Sequence, residues 1–282
     1  MNFLKIVDVL DEHYVIYGEK NRNDLTVKLF CIDPSKLLNQ MGKGFRSKLF
    51  FSATLSPMTY YQDILGGGEG DYSLLLPSPF SVEQVDVFIK PLSTRYRDRE
   101  RTKEAIVSML QSLIKKRPGN YLIFFPSYQY LLTVYERFKE IDGGYKTLLQ
   151  ETGMTEGERE GFLEAFQPNQ PEPLIGFAVL GGIFSEGVDL KGERLNGVVV
   201  VGVGLPQLCF ERNLIKEYFS NKKKNGYEYA YVFPGMNKVL QAGGRLIRSE
   251  EDQGTIVLVD DRFIQPQYQM LLPKEWRQFT VI

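Results

Sequence analysis

The 282-residue chain is short of the residues that carry most metal and redox chemistry, with two cysteines and one histidine. Cys31 and Cys209 stand alone, without a Cys-x-x-Cys pair. That excludes a zinc ribbon or a disulfide framework and predicts buried thiols in a reducing cytoplasm. His13 lies between acidic and aromatic neighbours with no second histidine, so zinc-ligand sets and a Ser-His-Asp triad have nothing to work with, and a structural role is expected. No run of eighteen apolar residues occurs, which argues against a helical membrane span. The opening Met1-Asn2-Phe3-Leu4-Lys5 soon meets Asp8, Asp11 and Glu12, which is no signal-peptide pattern. An excess of one charge is lacking too: 34 Lys and Arg face 35 Asp and Glu, a net charge of −1. Global charge therefore does not announce a nucleic-acid binder, which would need a local basic track.

Two catalytic signatures are absent as well. Nowhere does G-x-x-x-x-G-K-[ST] appear; Met41-Gly42-Lys43-Gly44 fails because a glycine follows Lys43 and Leu37 takes the place of the first glycine. Without that loop there is no cradle for the β- and γ-phosphates of a nucleotide. No Asp-Glu-x-His is present for magnesium and water activation.

What is present is the material of a folded protein. Apolar residues make up 43% and aromatics 13%, enough for a substantial core. Strands are expected at Tyr14–Tyr17, Thr26–Ile32 and Lys48–Phe51, with Asp33-Pro34-Ser35 starting a short helix over Lys36–Gln40. Gly66-Gly67-Gly68-Glu69-Gly70 and Leu76-Pro77-Ser78-Pro79-Phe80 read as a flexible break and an extended connector. From Arg95 onward helices (99–116, 127–139, 155–165, 207–220, 234–246) alternate with strands (121–125, 174–180, 196–203, 229–232, 254–259). Gly197-Val198-Val199-Val200-Val201 and Thr255-Ile256-Val257-Leu258-Val259 are continuous apolar runs, the mark of central strands in a parallel sheet buried on both faces. The fold class is α/β: a doubly wound, mostly parallel sheet with helices on both faces, plus a short strand-rich N-terminal extension. The expected division is 1–56, a linker over 57–92, and a domain over 93–282.

Gln241-Ala242-Gly243-Gly244-Arg245-Leu246-Ile247-Arg248 is the most telling segment. Two arginines three apart on a helix share a face and suit a phosphate clamp. Phe50-Phe51-Ser52-Ala53-Thr54-Leu55-Ser56-Pro57 runs from a strand into a polar turn, and Tyr121–Phe125 leads into Pro126-Ser127. The loop Gly181–Leu190 carries three glycines and the carboxylates Glu186 and Asp189. In order, these stretches resemble motifs III, IV, V and VI of superfamily 2 helicases, and most closely the iron–sulfur DNA helicases of the DinG/XPD type, over about Phe50 to Phe263.

The resemblance implies a C-terminal RecA-like motor domain of an ATP-dependent DNA helicase, with 1–56 as trailing strands of an upstream motor domain. Arg245 and Arg248 take the catalytic arginine-finger role, with Gln241, Glu186, Gly187 and Asp189 around the nucleotide. Ser52 and Thr54 couple the phosphate site to the strand, and Ser127 and Ser185 contact DNA, although the residues around Ser127 favour a helix cap. ATP and Mg2+ are the implied cofactors of the complete enzyme, an iron–sulfur cluster belongs to an upstream half, and none is expected on this chain by itself. Single-stranded DNA and the upstream motor domain are the implied partners, with 5′ to 3′ polarity and a monomeric state. The chain reads as a C-terminal fragment or half of a split enzyme, inactive alone. The rival reading is a catalytically idle RecA-like module that binds nucleic acid or protein.

Three further features bear on the site. Basic tracks at Arg95, Arg97, Arg99 and Arg101, at Lys115-Lys116-Arg117 and at Lys222-Lys223-Lys224 read first as solvated surface. Tyr128, Tyr130 and Phe184 could stack bases but read first as core. Asp260 and Asp261 end a strand and could hold magnesium, yet an arginine pair or a turn cap is the expected role.

Overall fold

The computed structural model describes residues 7–8, 10–20, 22, 24–141, 144–184 and 190–282. The chain divides into two units, Met1–Leu75 with Pro206–Pro234 and Leu76–Leu205 with Gly235–Ile282.

The larger unit is built on a seven-stranded parallel sheet. Its strands are β3 (Val85–Lys90), β4 (Tyr121–Phe125), β5 (Lys146–Leu149), β6 (Leu174–Val179), β7 (Gly197–Val201), β8 (Gly254–Val259) and β9 (Thr280–Val281), in the order β5-β6-β4-β7-β8-β3-β9. Register is set pair by pair, with Val87 opposite Ile256 and Val199 opposite Val257. Every residue of β4 and of β7 is buried, as continuous apolar runs demand when both faces are covered. Side chains alternate between those faces. On one, Ile123, Phe125, Phe177 and Val199 join Ile106 and Leu110 of helix α3 (Arg99–Lys116) and Leu131 and Phe138 of α4 (Tyr128–Glu140) in one core. On the other, Gly176 leaves room for Phe166 and for Phe162 of α5 (Glu156–Glu164), whose rings a Cβ would strike at 2.8 and 3.0 Å. Helices on both sides of a parallel sheet make this a doubly wound α/β fold.

The smaller unit holds an antiparallel hairpin, β1 (Tyr14–Lys20) with β2 (Leu25–Cys31), and helices α1 (Ser35–Met41), α2 (Met58–Leu65) and α6 (Phe210–Asn221). Neither α1 nor α2 has a buried residue. Polar ties join segments far apart in sequence: Asp33 accepts from the Tyr218 hydroxyl at 2.8 Å and from Lys222 at 3.1 Å, the Tyr229 hydroxyl donates to Asp63, and Lys224 lies 2.9 Å from the same carboxylate.

Several expectations need correction. Residues 57–92 are not a linker, since α2 and β3 lie within them and β3 pairs with β8 on one side and β9 on the other. Tyr229–Val232 is not a strand but part of a π-helical turn, Glu228–Val232. Alternating Tyr-Ala-Tyr-Val favours a strand, but Tyr229 is held by ring contacts with Phe219 at 4.4 Å and Tyr60 at 5.2 Å, and Arg212 donates to the Ala230 carbonyl at 3.2 Å. Lys48–Phe51 is not a strand and joins no ladder among the described residues. The cysteines are not buried thiols, as Cys31 is half-buried and Cys209 exposed. His13 is nine-tenths buried and bonded to Asp11, which Lys36 also reaches at 2.7 Å. No described helix is long and apolar enough to cross a membrane.

Candidate functional site

The arginine segment follows helix α7 (Phe233–Gly243), with Gln241 half-buried in its last turn. The helix stops at Gly243, where two glycines in succession have low helix propensity, and Gly243 admits no side chain because the Trp276 ring lies 2.1 Å from where its Cβ would be. The expectation that Arg245 and Arg248 share a helical face is therefore wrong. Arg245 sits in the turn after the helix, and Arg248 lies beyond it in non-helical backbone. Between them Leu246 is buried and packs against the close-approach glycine Gly254.

What holds this loop is a carboxylate the sequence did not reveal. Asp252 is 2% exposed. Its Oδ2 accepts the backbone N–H of Arg248 at 2.6 Å and of Ser249 at 2.7 Å, and its Oδ1 accepts that of Gly192 at 2.6 Å. Burial pushes this carboxyl up, but the three backbone donors outweigh it and hold it below the usual aspartate range. Gln84 supports the same loop from the other side, donating to the carbonyls of Ser249, Glu250 and Asp252 at 3.0, 3.1 and 2.8 Å. The Arg248 side chain is exposed and has no ion-pair partner among the described residues.

At the carboxyl edge of the sheet lies a second polar centre. Asp260 is fully buried and accepts Arg262 in a fork, Nε to Oδ1 at 2.7 Å and Nη2 to Oδ2 at 2.8 Å, together with the Thr94 hydroxyl. It also caps the short 3-10 turn Asp261–Ile264 through the Arg262 N–H at 2.9 Å. Burial raises the Asp260 pKa, and the Arg262 guanidinium more than offsets that, leaving it low. Arg95 takes both oxygens of Asp261, at 2.7 and 2.6 Å. Asp260 is thus spent on Arg262, Thr94 and its own turn, and Asp261 is paired with Arg95, the arginine-pair and turn-cap roles expected of them.

The other expected residues fall as follows. Ser127 caps α4, accepting the Tyr130 N–H at 3.3 Å. Tyr130 is buried beneath the Arg99 guanidinium, 4.5 Å from the ring centroid, and Phe184 is buried in a 4.1 Å stack on Phe162, so neither is a free platform. The Tyr128 hydroxyl accepts from Gln150 at 2.7 Å, and Gln150 in turn accepts the Val179 N–H at 2.9 Å. Ser52 and Thr54, in the smaller unit, form a local turn with their hydroxyl oxygens 3.3 Å apart. Ser185, Glu186, Gly187 and Asp189 lie outside the described residues. Of the basic tracks, Lys222 and Lys224 are turned onto Asp33 and Asp63, and Arg117 onto Asp86 and Thr255.

A seven-stranded parallel sheet with helices on both faces is the frame of a RecA-like domain. The helicase C-terminal domain model matches residues 110–279, and the chain belongs to that family. It is 26% identical over 277 residues to the ATP-dependent DNA helicase chl-1 of Caenorhabditis elegans, covering 88% of this chain and 32% of the relative. A probable ATP-dependent helicase of Methanocaldococcus jannaschii is 26% identical over 283 residues, covering 92% of this chain and 40% of its own length. A solved XPD helicase superposes with a TM-score of 0.72 at 20% identity, over 99% of this chain and 49% of that one. An apo XPD structure gives 0.71 at 18%, over 99% and 56%. These likenesses identify a DinG/XPD-like helicase C-terminal domain with a RecA-like fold. The chain spans about a third of the length of the first curated relatives it matches.

Proposed function

We propose that this chain is the second motor domain of an ATP-dependent DNA helicase, with Arg245 and Arg248 serving an ATP held by a phosphate loop on another domain. The observation that carries this reading is the loop after α7. Asp252 and Gln84 hold its backbone from both sides, and the Arg248 guanidinium is spent on none of that bracing. A finger that must meet charge spreading over a transferred phosphoryl group needs a fixed base and an uncommitted tip.

In this reading Gln241 orders the site by hydrogen bonding, and the glycine loop with Ser185, Glu186, Gly187 and Asp189 links nucleotide state to the strand. Residues 1–56 belong with the upstream motor domain, and Ser52 and Thr54 couple the phosphate site to DNA. Magnesium enters with ATP and is held elsewhere than Asp260 and Asp261. Hydrolysis opens and closes the cleft between the two motor domains, which ratchets them along single-stranded DNA.

The test is ATP hydrolysis. The chain alone, with or without single-stranded DNA, turns over no ATP. In an intact motor, where this domain is joined to one with a phosphate loop, Arg248→Ala abolishes turnover and leaves strand binding nearly intact. Turnover by the isolated chain that falls with Arg245→Ala means a complete site resides here, and the divided-site reading is then wrong.

A further inference from the structure

Between β3 and α3 the chain is fastened almost residue by residue. The Ser93 hydroxyl donates to Asp98 at 2.6 Å, and the Ser93 carbonyl accepts the Thr102 hydroxyl at 2.9 Å. Thr94 donates to Asp260, Arg95 binds Asp261, and Arg99 Nε donates to the Thr94 carbonyl at 3.3 Å. Tyr96 stands in the middle of this frame and is 76% exposed. The Arg99 guanidinium lies over its ring, 5.5 Å from the centroid, and is itself seated on the buried Tyr130. Arg97 and Arg101, one and five residues further along the chain, have side chains 83% and 75% exposed, with Asp98 at 3.9 and 3.3 Å. The other acid of the segment, Glu100, is paired with Lys103 at 3.0 Å.

An exposed ring is ordinary by itself. This one is held on a braced segment at the carboxyl edge of the parallel sheet, where α/β folds bind their ligands, with a cation against one face and two exposed arginines on the same segment. That combination matches what a single strand offers: a π-face on every base and a phosphate on either side. We propose that Tyr96 is a stacking platform for one base of single-stranded DNA, with Arg97 and Arg101 taking the adjacent phosphates. The inference rests on the reading of the chain as a DNA-tracking domain and adds the residues that touch the strand. It also assigns the first basic track a function that charge alone did not.

The experiment is fluorescence anisotropy of the 282-residue chain on a labelled oligo-dT over a salt series, repeated on an abasic oligonucleotide of equal length. Tyr96→Ala weakens oligo-dT binding roughly 5- to 100-fold with an unchanged salt slope, and Tyr96→Trp restores it. Arg97→Ala lowers the slope of log affinity against log salt by about 0.7. On the abasic strand wild type and Tyr96→Ala bind alike. Equal binding of oligo-dT by wild type and Tyr96→Ala overturns the platform and leaves the helicase reading standing. A Tyr96→Ala loss that is the same on the abasic strand also overturns it, by making the residue structural. A wild-type chain that binds no single strand at low salt overturns the platform together with the strand-contacting role proposed for this domain.

Discussion

Each unit is held together by different physics. In the larger one, Phe177 alone meets the rings of Phe125, Tyr135 and Phe138, with centroids 6.2, 5.2 and 5.4 Å away, inside a sheet covered on both faces. In the smaller one, β1 and β2 form a hairpin with no fully buried position, and hydroxyl–carboxylate and lysine–carboxylate ties join its distant segments. A two-stranded sheet cannot bury enough apolar surface to stand by itself, so directional polar contacts take up part of that task. The large unit therefore tolerates loss of a surface charge and not of a core ring, while the small unit adds individual polar partners to a smaller ring cluster of Tyr60, Phe219, Tyr229 and Phe233.

The single tryptophan makes that contrast measurable, because Trp276 lies in the larger unit and is 5% exposed. Phe177→Ala removes the hub of the aromatic core and costs about 3–5 kcal/mol, read as a lower denaturant midpoint in tryptophan fluorescence. A loss below 1 kcal/mol would dissolve the distinction. Asp33→Asn in the smaller unit costs about 1–3 kcal/mol, because it weakens a buried acceptor serving Tyr218 and Lys222. Its signature is faster hydrogen exchange along Tyr14–Cys31 with the Trp276 transition unmoved.

The same carboxylate gives a pH dependence. Burial raises the Asp33 pKa, but bonds from Ser35, Tyr218 and Lys222 lower it further, so the folded-state value lies below the ordinary one of about 4. Its stabilisation is complete above that ordinary value and is lost as pH falls through the depressed one. Acid stability measured on Asp33→Asn should accordingly show a shallower decline. The smallest effect is expected for Tyr229→Phe, about 1 kcal/mol, since Asp63 keeps Lys224 when the hydroxyl is gone.

How legible each part was in the sequence follows from the same contrast. Tyr121–Phe125 and Gly254–Val259 appear where continuous apolar runs placed them, since burial on both faces leaves a short β-branched and aromatic run bounded by turn residues. Val85–Lys90 was hidden because Asp86 interrupts it, and that carboxylate is exposed beside Arg117 at the strand's start. Lys146–Leu149 is too short to announce itself. The arginines were legible as a pair but not as a geometry, because the helix stops two residues before the first of them. Asp252 was not legible at all. Between Glu251 and Gln253 it looks like one more surface acid, and only three backbone donors converging on it show otherwise.

The order of strands also governs how the chain is made. β3 leaves the ribosome first among the sheet strands, yet its partners are β8 and β9, with Val85 facing Gly254 and Phe88 facing Thr280. At ordinary synthesis speeds that wait is on the order of ten seconds. Throughout it an apolar strand stands without either neighbour, and any interruption before residue 254 leaves an open strand edge of the kind that pairs with other chains.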